Sequence, residues 1–181
     1  MSRSFRTLLF LILPLAGLAP VTAASSESPY AGQQSRQIKA LSDADIEELR
    51  AGRGWGFAKA AELNGYPGPV HVLELKDALT LSDAQVAAVA DIFRRMRESA
   101  VEMGERYIAA ERALDSAFAD GSPDAAELDQ LVAAAEAARA ALRMVHLEAH
   151  LLVRPLLTPH QRVRYGQLRG YGNEAGHSHA H

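Results

Sequence analysis

The sequence has 181 residues, a formal net charge of −3 at pH 7 and no cysteine. The absence of cysteine excludes disulfides, thiolate metal sites and cysteine nucleophiles. The mildly acidic charge argues against a nucleic-acid partner, because nucleic-acid-binding domains are normally strongly basic. The length is that of one domain, and an alanine-rich composition with only 6% aromatic residues favours closely packed helices over a thick core.

Residues 1–23 have the pattern of a secretory signal peptide. Arg3 and Arg6 precede an apolar run over residues 8–18, and small residues stand at the cleavage position. The run is interrupted by a proline and a glycine, and it is shorter than the roughly 20 apolar residues that a membrane-spanning helix needs. We therefore predict a periplasmic protein cleaved near Ala23, with a net charge of −5 once both arginines are lost.

Two segments precede the main helical region. Residues 24–40 are polar and contain Pro29 and Gly32, so they are predicted to form a flexible arm. The segment 41–80 is predicted to hold short helices, the first of which is capped by Ser42. The three short helices are expected at residues 41–52, 57–63 and 71–79.

Residues 81–170 carry the strongest helical pattern. Ser82 and Gln85 form a capping box for a long helix, and Gly121 breaks that helix before Ser122 and Pro123 begin another. Apolar or small residues recur at alternating steps of three and four along both helices. The two seams are Val86, Val89, Phe93, Met96, Ala100, Met103, Tyr107, Ala110, Leu114 and Ala117, then Leu128, Leu131, Ala135, Ala138, Leu142, Val145, Ala149 and Leu152. Matching seams joined by a short turn predict an all-α fold built on a long antiparallel hairpin.

The pattern Leu-Ser/Thr-x-x-Gln occurs at both ends of the predicted hairpin. The copies are Leu81-Ser82-Asp83-Ala84-Gln85 and Leu157-Thr158-Pro159-His160-Gln161, and the second opens a final helix. This pair resembles the LTxxQ motif of the Spy/CpxP family, with Ser82 where the family has Thr, and the resemblance covers residues 81–170. It implies a curved helical dimer that acts as an ATP-independent chaperone or in envelope stress. Periplasmic heavy-metal sensors of the CnrX and ZraP type share this architecture.

His146 and His150 are the strongest candidates for chemistry. They lie four residues apart on one face of the second long helix, a spacing that lets two imidazoles hold one divalent ion. Two ligands are few for a tight site, so a chance pair of surface histidines is an open alternative. Other candidate ligands are His71, His160 and the residues His177, His179 and His181 of the tail 171–181, which is predicted to be disordered.

Positive charge collects at the open end of the predicted hairpin. Antiparallel pairing about Gly121 brings the first helix's arginines close to residues 146–149, whereas acidic residues lie towards the turn. A basic end with apolar neighbours suits weak capture of unfolded chains, although it disfavours a tight cation site. A solvated face with local ion pairs explains each single arginine equally well. The candidate client-binding residues are Arg94, Arg95, Arg97, Arg143 and Arg154.

These observations leave two functions open. The first is a homodimeric periplasmic chaperone or envelope-stress protein that needs no cofactor and meets unfolded envelope proteins or a membrane signalling partner. The alternative is a sensor or buffer for zinc, nickel, cobalt or copper. No nucleophile, base and orienting group occur together, and the stretch His146-Leu-Glu-Ala-His150 lacks the glutamate of a zincin hydrolase, so we expect no enzyme.

Overall fold

The computed structural model describes residues 28–171. The predicted signal peptide and the histidines of the tail lie outside the described residues. Residues 28–31 form a turn of their own, and the described residues from Gly32 onward belong to one unit. That unit contains six α-helices: α1 (Asp43–Arg50), α2 (Lys59–Glu62), α3 (Pro69–Glu74), α4 (Asp83–Asp120), α5 (Ala125–Val153) and α6 (Pro159–Leu168).

The described residues contain no β-strand, only an isolated bridge between Ile38 and Leu41, so the predicted all-α fold is confirmed. Both of these side chains are almost completely buried in the core. The packed unit therefore begins inside the segment 24–40 that the sequence predicted to be a flexible arm. None of the helices in the described part combines the length and apolar character that crossing a membrane requires.

The helices α4 and α5 pack against each other as the predicted hairpin. The capping box at Ser82 begins α4 as expected. The start of α5 differs from the prediction: Asp124 is the cap, two residues beyond Ser122, and its carboxylate accepts hydrogen bonds from the Ala126 and Glu127 amides at 2.9 Å each. A charged acceptor is favoured at this position because the amino end of a helix carries partial positive charge.

The interior of the hairpin follows the predicted seams along its centre and departs from them at the open end. Seam residues that are fully buried include Val89, Ala100, Tyr107, Ala135, Leu142 and Ala149. The prediction for Leu152 is wrong, because its side chain is 53% exposed and the next residue, Val153, is buried instead. Val153 belongs to an apolar cluster with Val72 of α3 and Tyr165 of α6, so packing against these helices turns the buried face by one residue.

The short helices cover one flank of the hairpin. They are shorter than the predicted segments: α2 occupies four residues, and α3 begins at Pro69, where the missing amide hydrogen costs no hydrogen bond. Helix α1 packs on α4, where Gly104 allows close approach because a Cβ atom there would lie 2.7 Å from the Leu49 carbonyl oxygen. Two further residues of α4, Ile92 and Ile108, are buried outside the predicted seam.

The two LTxxQ-like motifs meet at the open end of the hairpin. Both form complete capping boxes. In addition, Gln85 Nε2 donates to Gln161 Oε1 at 2.8 Å, and Gln161 Nε2 donates back to Gln85 Oε1 at 3.2 Å. The same amides also donate to the Leu156 and Leu79 carbonyls, at 2.7 and 3.3 Å. The motifs therefore fix α6 to the start of α4 as well as capping their own helices.

Candidate functional site

His146 and His150 lie on the face of α5 that the short helices cover. Their exposed fractions are 3% and 8%, so neither is a surface residue, as the alternative interpretation assumed. The sequence placed both residues beside the seam, and the structure shows that α2, α3 and the loops around them bury that side of the helix. Two imidazoles one helical turn apart thus share an enclosed environment.

Both histidines line a cavity of about 740 Å³ between the hairpin and the short helices. A volume of this size lies within the range of small-molecule sites. Apolar and aromatic side chains form much of the wall, and charged side chains stand among them. The lining includes Trp55, Leu63, Val70, Phe93 and Met96, the acidic residues Glu48, Glu62 and Glu74, and the basic residues Arg53, Lys59, Arg97 and Arg169.

His146 has a buried ring nitrogen that forms no hydrogen bond with the described residues. This atom is Nε2, and the ring stacks on Phe57 with 6.3 Å between the ring centroids. Burial, helped by the neighbouring His150, lowers the pKa of His146 to about 4. The imidazole is therefore neutral near pH 7 and can offer a lone pair.

A contact with a main-chain carbonyl orients the ring of His150. Its Nδ1 atom lies 2.7 Å from the carbonyl oxygen of Tyr66, and because a carbonyl can only accept, Nδ1 carries the hydrogen in this contact. The lone pair of the neutral ring is then at Nε2, an arrangement typical of metal-binding histidines. Gly68 permits the position of the ring, since a Cβ atom there would lie 2.9 Å from His150 Cε1 and 3.0 Å from Nε2.

Glu62 ties the short helices to the carboxyl end of the chain. Its carboxylate accepts hydrogen bonds from the Tyr165 hydroxyl at 2.5 Å and the Gly68 amide at 3.1 Å. It also pairs with Arg169 Nε at 3.5 Å and lies 3.7 Å from His150 Nδ1. Burial and this carboxylate raise the pKa of the Tyr165 hydroxyl well above its ordinary range. No sequence signal marked Glu62 or Gly68 as part of a site, since both act through contacts distant along the chain.

Residues 55–164 match the sequence pattern of a family described as heavy-metal resistance, which covers more than half of the chain. The chain belongs to the heavy-metal resistance family. This family contains the Spy, CpxP and CnrX types and its members are typically periplasmic, so the resemblance drawn from the paired motifs is confirmed at the level of the family. The chain matches no curated protein and no solved structure with significance.

The part of the chain that matches the heavy-metal resistance family contains both histidines of the site. It also includes Gly68, Glu62 and both LTxxQ-like capping boxes, whereas α1 lies before it. Parts of the cavity wall lie outside the match, since Glu48 and Arg53 precede it and Arg169 follows it.

The other histidines predicted as metal ligands have different positions. His71 lies on the wall of the cavity, and its Nδ1 atom is 2.8 Å from Glu74 Oε2. His160 is exposed on α6 and does not line the cavity. Within residues 28–171, no three histidine, aspartate or glutamate side chains are close enough together to hold a metal ion. The described residues therefore supply two candidate ligands, His146 and His150.

Two of the five arginines predicted to bind clients form ion pairs with neighbouring acidic side chains. Arg94 pairs with Asp91 at 2.6 Å and with Glu98 at 3.2 Å, and Arg95 pairs with Asp91 at 2.9 Å. The remaining three differ: Arg97 donates to the Ala51 carbonyl at 3.3 Å, Arg154 lies over the Tyr66 ring at 4.7 Å, and Arg143 lines a small cavity beside Trp55. The local ion pairs that the sequence left open are thus present at Arg94 and Arg95.

Proposed function

We propose that this protein binds a transition-metal ion through His146 and His150, as a periplasmic sensor or buffer in heavy-metal resistance and not as an enzyme. The observation that carries the proposal is the buried Nε2 atom of His146, which has no hydrogen-bond partner. A buried polar atom without a partner costs roughly 1–3 kcal/mol, so such atoms are rare unless a function uses them. A bound ion of the zinc, nickel, cobalt or copper type would satisfy this nitrogen.

The protonation and orientation of both rings support metal binding. An imidazole binds metal only when neutral, and the lowered pKa of His146 keeps it neutral even in mildly acidic solution. The Tyr66 carbonyl holds the His150 ring with its Nδ1 hydrogen engaged, so its other nitrogen is free to bind an ion. When bound, the ion would bridge two positions on α5 and stabilise the segment that packs against them.

Direct titration of the chain without its predicted signal peptide tests this function. We expect isothermal calorimetry with Zn²⁺, Ni²⁺ or Cu²⁺ to give one ion per chain at a site that His146→Ala and His150→Ala each remove. The matched control is His160→Ala, an exposed histidine outside the cavity, which should bind as the parent does. Circular dichroism and proton exchange of the core amides show whether each variant keeps its fold.

Two results of this titration would contradict the proposal. One is unchanged binding in both cavity variants. The other is loss of all binding in a chain whose His177, His179 and His181 are replaced by serine, because the tail alone would then be the site.

A chaperone is a second candidate, and the apolar surface of the hairpin favours it. Large apolar side chains are exposed at the end of α4 and along α5: Phe118, then Val132, Met144, Leu151 and Leu152. Exposed apolar and methionine side chains tolerate many partner sequences, as client binding requires. The same surface is available for pairing with a second copy, so we include the homodimer in this proposal.

A further inference from the structure

The histidine cavity is much larger than a metal ion needs. With two imidazoles bound, a tetrahedral ion has two positions left and an octahedral ion has four, and four waters would occupy roughly 120 Å³ in total. The cavity, which is partly open to solvent, has a volume of about 740 Å³. Most of its volume therefore has no role in holding a bare ion.

The carboxylates on the cavity wall are already engaged by other groups. Glu62 accepts from Tyr165 and Gly68, Glu74 pairs with His71, and Glu48 pairs with Arg53 at 2.7 Å. These contacts compete with metal binding for the lone pairs of the carboxylates. The donors that complete the coordination of an ion at His146 and His150 are more readily supplied by another molecule.

Two cations on the wall form no ion pair with any residue that the structure describes. One is Lys59. The other is Arg97, whose Nε atom donates a hydrogen bond only to the Ala51 carbonyl. Positive charge in a partly enclosed site opposes a bare divalent cation and attracts an anion. The positive charge of the wall therefore disfavours binding of an aqueous metal ion. It favours binding of a metal ion whose own charge is neutralised by carboxylate ligands.

We propose that the cavity binds the metal ion as a complex with a small organic aminocarboxylate, the class that includes amino acids. His146 and His150 supply two nitrogen ligands, and the amine and carboxylate groups of the small molecule supply the rest. Lys59 and Arg97 donate hydrogen bonds to the carboxylate oxygens, and the apolar wall at Phe93 packs against the carbon skeleton. The inference rests on the metal-binding function proposed above and assigns the rest of the cavity to a chelator.

Two nickel complexes test the inference, and the chelator in each is tridentate. Nickel iminodiacetate carries two carboxylates and is neutral, whereas nickel diethylenetriamine carries none and keeps its double positive charge. We expect calorimetry at fixed ionic strength to show at least ten-fold tighter binding of the iminodiacetate complex than of the amine complex or of Ni²⁺ alone. A visible absorption shift on binding reports imidazole ligation independently of the heat.

The variant Lys59→Gln combined with Arg97→Gln gives the matched comparison. Binding of nickel iminodiacetate should weaken at least five-fold in this variant, while binding of Ni²⁺ alone should stay the same or strengthen. Replacing His177, His179 and His181 with serine should change neither. Equal affinity for both complexes, or weaker binding of all nickel forms after the tail replacement, would overturn the inference.

The same titrations separate the two proposals. If Ni²⁺ binds through His146 and His150 but iminodiacetate only removes it, the chelator inference is wrong and the metal-binding function stands. If neither Ni²⁺ nor its complexes bind in a manner that depends on these histidines, both are wrong.

Discussion

Burial of His146 makes the stability of the fold depend on pH. The pKa of this imidazole falls from 6.5 to about 4 on folding, chiefly because burial disfavours the charged ring. Between these two values the unfolded chain takes up a proton that the folded chain does not, so acidification favours unfolding. The stabilisation that depends on a neutral His146 is complete above pH 6.5 and is lost as the pH falls towards 4.

Replacing His146 with leucine should remove this part of the pH dependence. We expect the free energy of unfolding of the parent to fall by up to about 3 kcal/mol more than that of His146→Leu between pH 6.5 and 4, at about 1.4 kcal/mol per unit of pKa shift. Urea unfolding in metal-free buffer, followed by circular dichroism, measures both curves. Parallel curves would mean that His146 titrates normally in the folded protein.

Glu62 and Gly68 show which parts of a site a sequence cannot indicate. The histidine pair could be predicted because its spacing of four residues is itself the geometric requirement on a helix. The contacts that orient His150 come from Tyr66, 84 residues earlier in the chain, and no local pattern encodes that approach. Only the packing of the short helices on α5 shows that the pair is buried and faces a cavity.

At the level of the elements, Gly104 determines how closely α1 approaches the hairpin. A methyl group at this position would meet the Leu49 main chain at 2.7 Å, and a main chain cannot move aside as a flexible side chain can. We expect Gly104→Ala to destabilise the protein by about 1–3 kcal/mol through overpacking. Urea denaturation measures the change.

Gly166 of α6 provides the matched control for this substitution. It is also helical, but a Cβ atom there would meet nothing within 4 Å. Gly166→Ala should therefore stabilise the protein by about 0.5–1 kcal/mol, since alanine is the better helix former. If both alanine variants were stabilising, α1 would not be held against α4 as the structure shows.

The hairpin could be predicted at the level of elements because heptad spacing, capping boxes and a short turn are all local signals. The packing of other segments against the side of the hairpin could not be predicted in this way. Ile92 and Ile108 are buried outside the seam because the N-terminal segment and the cluster around Val72 cover them, and the sequence of α4 alone does not reveal that second partner. Val153 is buried in place of Leu152 for the same reason, because other helices pack against it.

At the level of the whole molecule, the two candidate functions use different surfaces. The histidine cavity lies between the hairpin and the short helices. Met144 and Leu151, which are 54% and 57% exposed and seven residues apart on α5, do not line it. Because two helical turns separate them, these side chains lie on one line along the helix. A protein with both functions would therefore bind metal and client at separate places.

Light scattering of a denatured client diluted without ATP tests this separation. If the apolar surface captures clients, we expect equal suppression of aggregation with zinc and with chelator, and loss of suppression when Met144 and Leu151 are both changed to serine. The control is Val163→Ser, an exposed apolar residue of α6. Suppression only with zinc would mean that the metal site governs client binding, whereas no suppression in either buffer would exclude the chaperone and leave metal binding as the function.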